Sequence, residues 1–196
     1  MTLQPVAPPH PLTVAEYLAI GEIEPGYSEL VDGRLVMSPS PLSDHNWAVA
    51  ELRDQLRPQL PEHLEIILDI DVDLELVAPD QPGFCRRPDL VVVQRSARRR
   101  QRVEGGATRA SEVEIVVEVV SPSSKRTDYV HKRGEYADAG IPHYWIVDLD
   151  EPVSLLTCHL AGELGLADGG ADGGEVTGTF RTSVPFPATV DLAALL

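Results

Sequence analysis

The chain has 196 residues, of which 43% are hydrophobic and 24% are charged, a composition typical of a globular protein with one domain or one domain and a small appendage. No apolar stretch approaches the roughly 18 residues that span a bilayer, and the N-terminus lacks a basic segment followed by an apolar block, which argues against a membrane span and a signal peptide. The net charge of −15 argues against loose, sequence-independent binding to nucleic acid. Cys85 and Cys158 form no CxxC pair, which predicts a reduced, cytoplasmic setting without a disulfide framework.

The first half of the chain contains three recognisable elements after a Pro-rich segment at 1–11 that we predict to be loose. In "LTVAEYLAI", Thr13 can cap a short helix and Glu16 completes a capping box. The Asp32-Gly33 pair between two apolar runs predicts a hairpin, because both central residues of that turn need a positive φ. Apolar residues at helical spacing then predict a helix over 43–56.

The later elements follow from apolar runs and the turn residues between them. They are a strand from Leu68 on, a strand at 89–94, a loop at 95–112, a strand at 113–121, a helix at 124–139, strands at 143–150 and 152–160, a flexible connection at 165–178, and a final short strand and turn. This order predicts an α/β or α+β fold in which a central mixed β-sheet is flanked by helices, within one domain at 12–196. The runs "DLVVV" and "IVVEVV" lack clean alternation, so we expect central strands that are covered on both faces.

Glu118 is a carboxylate inside the apolar run "IVVEVV". Side chains alternate along a strand, so Glu118 shares a face with Val116 and Val120. One interpretation is that this whole face is exposed to water. The other is that Glu118 is buried, and a buried carboxylate needs an Arg, a Lys or a metal ion nearby, because an unpaired one costs several kcal/mol or changes its protonation.

Asp89 is the second candidate acid, since it opens the strand "DLVVV". A Pro-Asp pair can simply begin a strand. If Asp89 and Glu118 pair in one sheet, however, two carboxylates at that distance need a cation between them to stay ionised. Oxygen ligands with open water positions favour Mg²⁺ or Mn²⁺.

Lys132 is the third candidate, on the predicted helix at 124–139. With Tyr129, Tyr136 and Ala139 it lies on the least polar stripe, at steps of three or four residues, which predicts that it faces the sheet. Alternatively, Lys132 forms an ordinary surface pair with Asp128, four residues earlier. Lys125 is a rival lysine nearer to the strand.

Positive charge is concentrated in the middle of the chain. Residues 86–133 contain twelve of the sixteen Lys and Arg residues and six Asp and Glu residues, a net charge of +6, so the remainder carries −21. Arg98, Arg99 and Arg100 are the centre of this region. They predict either a solvated loop or phosphate contacts beside the acidic site, because the guanidinium fork suits phosphate oxygens.

Five ordered blocks of the sequence resemble the Uma2 family of predicted nucleases. They are "YSELVDGRLVMSPSP", "RRPDLVVV", "VVEVVSPSS", "DYVHKRGEY" and "AGIPHYWIVD". The resemblance runs from about Thr13 to the C-terminus. It implies the PD-(D/E)xK restriction-endonuclease-like fold, with an α-β-β-β-α-β core and an acidic Mg²⁺ site.

The resemblance also implies roles for individual residues. Asp89 matches the first acid of the motif, Glu118 the second, and Glu29 an upstream acid that completes the metal ligands. The generic motif has a lysine two residues after the second acid, where this chain has Val120, and the family pattern instead implies Lys132 on the following helix. His45 matches a frequent histidine of the family at the start of the first long helix, where it can equally be an ordinary helix-start residue. We take His45 and, apart from the resemblance, Asp128 as accessory candidates.

The residues and the resemblance together predict an endonuclease dependent on Mg²⁺ or Mn²⁺ that hydrolyses phosphodiester bonds of nucleic acid, most simply DNA. Two alternatives stay open. One is a catalytically silent protein that uses the nuclease fold for binding or assembly, and the other is a metal-dependent hydrolase of small phosphoesters. No membrane partner is expected, and exposed strand edges allow a homodimer.

Overall fold

The computed structural model describes residues 10–21, 27–38, 40–121, 124–160, 166–169 and 175–196. Most of the loose segment predicted at 1–11 and much of the connection predicted at 165–178 lie outside these ranges. The α-helices are α1 (Val14–Ile20), α2 (Ser43–Leu56), α3 (Arg95–Glu104) and α4 (Arg133–Asp138), and a π-helical segment, Thr127–Lys132, leads directly into α4. Among the described residues, no helix is long and apolar enough to cross a bilayer.

The described part of the chain contains fourteen strands, most of them short. They are β1 (Tyr27–Val31), β2 (Arg34–Ser38), β3 (Leu64–Leu68), β4 (Val72–Asp73), β5 (Cys85–Arg86), β6 (Leu90–Gln94), β7 (Thr108–Arg109), β8 (Val113–Val120), β9 (His143–Asp148), β10 (Ser154–Leu160), β11 (Leu166–Gly169), β12 (Val176–Thr177), β13 (Thr179–Thr182) and β14 (Ala188–Asp191).

The central sheet has the strand order β11-β10-β9-β8-β6-β3, with β12 also paired to β10. The pair β8–β9 is parallel, whereas the pairs β6–β8, β3–β6 and β9–β10 are antiparallel. The sheet is therefore mixed, and β6 and β8 lie inside it, as the apolar runs predict. The fold class predicted from the sequence, a mixed sheet flanked by helices, is confirmed.

The two faces of β8 belong to two different hydrophobic clusters. Ile115, Val117 and Val119 pack in a cluster with residues of α2 and the C-terminal strands. Val116 and Val120 pack in the other, with residues of α4. Glu118 lies between them on this second face and is buried, so the interpretation that the face is exposed to water is wrong.

A second sheet, with the order β2-β1-β5-β4-β7, stands beside the central one. The hairpin β1–β2 turns at Asp32 and Gly33, whose φ angles are 50° and 70°, as the turn type requires. A Cβ on Gly33 would lie 2.9 Å from the backbone nitrogen of Leu12, so a side chain at this position would be strained in both conformation and space. This sheet brings Glu29 and Arg86 toward the central one.

Both predicted N-terminal helices are present. Thr13 and Glu16 form the expected capping box of α1, since each side chain accepts a hydrogen bond from the backbone N–H of the other. Helix α2 has the predicted bounds, and it buries Ala48, Leu52 and Leu56 against the central sheet.

Three predicted elements are wrong in detail. The basic loop predicted over 95–112 begins with α3, because Arg, Ala and Gln are good helix formers and Gly105, with a φ of 74°, ends the helix. The strand predicted in the stretch 63–76, with alternation from Leu68 on, is divided into β3, which ends at Leu68, and the two-residue strand β4. Within the connection predicted to be flexible, 166–169 and 176–177 are strands paired to β10.

Candidate active site

Strands β6 and β8 bring the two predicted acids together at one end of the central sheet. Leu90 of β6 is paired with Val117 of β8 in the antiparallel ladder, so Asp89 lies beside Glu118 on the neighbouring strand. The Asp89 carboxylate extends this ladder, because its Oδ2 accepts a hydrogen bond of 2.7 Å from the backbone N–H of Val119. The side chain is therefore fixed at the partly exposed edge of the site.

Glu118 is the deeply buried member of the pair. Its Oε1 lies 2.8 Å from Nζ of Lys132 and accepts a hydrogen bond of 2.7 Å from the hydroxyl of Tyr136. The pKa of Glu118 is raised to about 8, because burial, helped by the charges of Asp89 and Asp128, outweighs the opposing effect of the Lys132 ammonium. Burial therefore affects the protonation of Glu118 more than its contact with Lys132 does.

Lys132 comes from the π-helical segment and lies among three carboxylates. Its Nζ is 2.8 Å from Glu118, 3.4 Å from Asp128 and 3.5 Å from Glu29. Burial acts to lower the pKa of Lys132, but these three negative charges outweigh it and raise the pKa, so the ammonium stays charged. The prediction that Lys132 faces the sheet is confirmed by its burial, whereas the rival Lys125 is 52% exposed and pairs with Asp148.

The helical stripe that faces the sheet contains Lys132 and Tyr136 as predicted, but Asp128 is buried in it and the predicted Tyr129 and Ala139 are only partly buried. Asp128, Lys132 and Tyr136 are its buried members, whereas Tyr129 is only partly buried and its hydroxyl points to Glu175 and Asp148. The ion pair between Asp128 and Lys132 therefore exists but is not on the surface.

Asp128 carries a buried carboxylate oxygen that is not fully satisfied. Its Oδ1 has no hydrogen-bond partner among the described residues, although it lies 3.4 Å from Nζ of Lys132. Burial raises the pKa of Asp128 above its ordinary value, in opposition to Lys132. A buried oxygen of this kind can accept a further donor or a cation.

Glu29 and Arg86 form a buried layer behind Lys132. Arg86 donates to Glu29 at 2.8 Å and makes two hydrogen bonds, of 2.6 and 2.7 Å, to the carboxylate of Glu135. The backbone N–H of Arg87 donates to the other oxygen of Glu29 at 3.0 Å. Burial acts to raise the pKa of Glu29, but Lys132 and Arg86 lower it overall, so this carboxylate is ionised. It stabilises two buried cations.

His45 contacts the exposed side of the acidic pair from the first turn of α2. Its Nε2 lies 3.2 Å from Oδ2 of Asp89. Burial acts to lower the pKa of His45, but the hydrogen bond to Asp89 and the charge of that residue raise it overall. The histidine is thus held next to the acid that sequence analysis placed at the start of β6.

The donor set suits a hard divalent cation, although its arrangement centres on Lys132. Carboxylate oxygens are the ligands that Mg²⁺ and Mn²⁺ prefer, and the buried Oδ1 of Asp128 has no hydrogen-bond partner among the described residues. Among the described residues, no three His, Cys, Asp or Glu side chains converge as a metal-binding cluster. The residue types therefore suit such an ion, whereas in this arrangement the ammonium of Lys132 lies between the acids.

The three arginines predicted to contact phosphate beside this site lie elsewhere. Arg98, Arg99 and Arg100 belong to α3, which follows the C-terminal end of β6, whereas Asp89 precedes the N-terminal end of that strand. Arg98 pairs with Glu65 at 3.1 Å, and Arg100 pairs with Glu112 at 2.6 Å. The structure thus separates them from the acids by the length of the strand.

Three residues of the site were not identified from the sequence in their observed roles. Arg86 and Glu135 form a buried ion pair between distant segments, and no local pattern distinguishes a buried Arg in "CRRPD" from an exposed one. Tyr136 was placed on the stripe that faces the sheet, but its hydrogen bond to Glu118 was not predicted. The position of Tyr136 on the stripe predicted to face the strand of Glu118 is the signal that could have indicated this hydrogen bond, because a buried Tyr hydroxyl usually finds a partner.

Comparisons with known proteins agree with this architecture. The model of the Uma2 family, described as "Putative restriction endonuclease", matches residues 14–166. A solved structure described as a "putative nuclease belonging to DUF820 from Anabaena variabilis ATCC 29413" superposes with a TM-score of 0.67 at 19% sequence identity, over 94% of this chain and 97% of that one. No curated protein matches the chain.

Proposed function

The chain belongs to the Uma2 family, whose model matches most of its length, and from this membership we propose that it is an endonuclease that hydrolyses DNA with the help of Mg²⁺ or Mn²⁺. The observation that carries the proposal is the contact of 2.8 Å between Nζ of Lys132 and Oε1 of Glu118, beside Asp89 on the paired strand. Two acids and a lysine suit metal-assisted phosphodiester hydrolysis, because acids can hold the cation and an ammonium can stabilise charge that develops on the phosphate.

In this proposal Asp89 and Glu118 would hold the cation. Lys132 and Tyr136 both contact Oε1 of Glu118, so Oε2 is the oxygen that we assign to the ion. When bound, a divalent cation polarises the phosphoryl group and lowers the pKa of a coordinated water. Asp128, with its unsatisfied Oδ1, is an accessory to these two acids.

Lys132 is proposed to stabilise the negative charge that develops on the phosphate as the attacking oxygen approaches. A fixed ammonium in a water-poor site stabilises the transition state more than the same charge in water does. The protein does not have to reorient when negative charge develops on the phosphate. Glu29 was predicted to ligate the metal, but both of its oxygens accept hydrogen bonds from Arg86 and the Arg87 backbone. We therefore propose that Glu29 positions Lys132.

His45 is proposed to position Asp89. Its contact with Oδ2 of Asp89 adds to the hydrogen bond from the Val119 N–H, so one oxygen of this acid is held from two sides. The imidazole also lies at the partly exposed edge of the site, where a phosphate would enter. A cationic imidazole would favour that approach, since it reduces the excess of negative charge.

The proposal is tested by incubating supercoiled plasmid DNA with the protein and Mg²⁺ or Mn²⁺, with RNA and nucleotides in parallel reactions. Nicked or linear plasmid should appear with metal and not with EDTA. Glu118→Gln and Lys132→Met should each abolish cleavage, whereas Glu114→Gln, on the same strand but outside the site, should retain it. Cleavage retained in a clean Glu118→Gln preparation would contradict the proposal, and hydrolysis of nucleotides alone would favour a small-phosphoester hydrolase.

A further inference from the structure

Helix α3 carries a row of exposed arginines on one face. Arg95, Arg99 and Arg102, which we call the arginine stripe, follow one another at steps of four and three residues and are all exposed. At 100° per residue they lie within about 60° of one another around the helix. Ala97, the buried residue that packs α3 on the protein, lies on the opposite side.

The arginine stripe differs from the other arginines of α3 in its partners. Arg98 pairs with Glu65, and Arg100 makes two hydrogen bonds to Glu112, of 2.6 and 2.8 Å, and one of 2.9 Å to the backbone oxygen of Ala107. Among the described residues, no ion pair or hydrogen bond engages the side chains of the arginine stripe. Its three guanidinium groups are therefore available to an external anion, whereas Arg100 stabilises the fold.

An anionic polymer complements the arginine stripe better than a single ion does. From Arg95 to Arg102 the helix rises about 10 Å, roughly three base-pair steps at 3.4 Å each. Three exposed cations on one line are conspicuous in a chain of net charge −15, because nearby carboxylates would otherwise be expected to pair with them. An anionic membrane is the less favoured partner, because α3 offers it Val103 as the one large exposed apolar side chain.

We propose that the arginine stripe binds the phosphate backbone of nucleic acid at a second contact, separate from the candidate active site. The inference rests on the proposed function, and it names the surface that holds the substrate. Strand β6 and its flanking residues place Arg95 about 20 Å from Asp89 along the sheet, roughly six base-pair steps of a duplex. The candidate active site and the arginine stripe would thus contact one nucleic acid at two points.

The test is a binding titration in EDTA, so that its result does not depend on cleavage. The wild-type protein, the triple variant Arg95→Gln/Arg99→Gln/Arg102→Gln and a control are titrated into a fluorescent 20-base-pair duplex at 50 and 200 mM salt. The control, Arg34→Gln/Arg57→Gln/Arg181→Gln, removes the same charge from three exposed arginines on other elements.

Three phosphate contacts contribute about 2.7 to the slope of log affinity against log salt. The affinity lost by the stripe variant should therefore be roughly 40-fold larger at 50 mM than at 200 mM salt, and the control should lose far less. Thermal unfolding should be similar for all three proteins, because none of the substituted side chains is buried or paired among the described residues.

Equal salt slopes for wild type and the stripe variant would overturn the inference, and so would a wild-type protein that binds no DNA or RNA in EDTA at 50 mM salt.

Two further outcomes would reassign the arginine stripe. Binding to phosphatidylserine vesicles that the stripe variant loses, without binding to nucleic acid, would overturn the inference in favour of a membrane. A change from dimer to monomer in the stripe variant, without a change in nucleic-acid affinity, would overturn it in favour of a second copy of the chain. A protein that binds as expected but cleaves nothing with metal would contradict only the proposed function.

Discussion

Nζ of Lys132 lies 2.8 Å from Oε1 of Glu118, and both side chains are buried. Strand β8 places Glu118 on the face of the sheet that α4 covers. The π-helical segment before α4 places Lys132 against the same face. Because Glu29 and Asp128 lie within 3.5 Å of the same ammonium, Lys132 is the principal counterion of three buried acids.

Removing this ammonium should destabilise the fold. Lys132→Met leaves the ionised Glu29 and its buried neighbours Glu118 and Asp128 without the cation that they contact, and we expect the free energy of unfolding to fall by about 3–5 kcal/mol, measured by urea denaturation. Lys125→Met is the matched control, since that lysine pairs with Asp148 from an exposed position, and it should change stability little. Equal urea midpoints for Lys132→Met and wild type would contradict the buried network.

Arg86 should matter as much as Lys132 to stability. Arg86→Met removes the cation that joins Glu29 to Glu135, so we expect a loss of about 3–5 kcal/mol in the same denaturation experiment. The double variant Arg86→Met/Glu135→Gln should recover part of that loss, because the side chain at position 135, one of the two that lose Arg86 as a partner, is then neutral. Arg34→Met, exposed on β2, serves as the control, and no recovery in the double variant would argue against the ion pair with Glu135.

The hydroxyl of Tyr136 should contribute through Glu118 alone. Tyr136→Phe removes one buried hydrogen bond to the carboxylate while it keeps the ring, so stability should fall by about 1–3 kcal/mol. The additional loss should vanish in a Glu118→Ala background, where the acceptor is absent. Tyr129→Phe, whose hydroxyl contacts Glu175 at an exposed position, should have a smaller effect.

Stability without metal should fall as the pH rises from about 5 to 8. Because the pKa of Glu118 is raised to about 8 in the fold, the folded protein retains a proton that the unfolded chain releases near its ordinary pKa. The contribution is complete below the unfolded pKa and is lost toward the folded one, with a slope of at most about 1.4 kcal/mol per pH unit. His45, whose pKa is also raised, acts in the same direction at the upper end of this range.

Thermal unfolding in EDTA at several pH values measures this dependence. Glu118→Gln has no ionisable group at that position, so its melting temperature should vary less with pH between 5 and 8. A pH profile identical to that of wild type would show that Glu118 does not hold the proton.

Divalent metal should stabilise the protein, and more at pH 8 than at pH 6. Metal ligands must be deprotonated, and Glu118 retains its proton at the lower pH. Mn²⁺ at a hundredfold excess over its Kd should add about 2.7 kcal/mol, measured as a rise in melting temperature. Asp89→Asn should abolish the rise, whereas Asp44→Asn, exposed on α2, should keep it. No rise with Mn²⁺ in wild type would favour a nuclease fold used for binding or assembly.

Local signals predicted the order of the elements well. Thr13 and Glu16 form a cap from adjacent residues, and the Asp32-Gly33 turn depends only on backbone conformation, so both follow from the sequence. The run around Glu118 predicts a central strand because apolar residues on both faces require cover on both faces.

Long-range relationships were not predictable in the same way. The partner of Arg86 is Glu135, on a helix that the sequence places far downstream, and only tertiary packing joins them. Helix α3 was missed because its charge suggested a solvated loop, although Arg, Ala and Gln favour a helix. Its placement past the far end of β6 also moved Arg98 and Arg100 away from the candidate active site.

The π-helical segment Thr127–Lys132 affects which of its side chains face the central sheet. In an α-helix a step of four residues overshoots a full turn by about 40°, so a row of side chains gradually spirals away from a flat sheet. The wider turn of a π-helix rotates each residue less, so Asp128 and Lys132, four residues apart within the segment, stay closer to one line, and both are buried. Deleting a single residue from this segment would restore the ordinary pitch and rotate Asp128 and Lys132 out of alignment, although no residue that contacts Glu118 would have been changed.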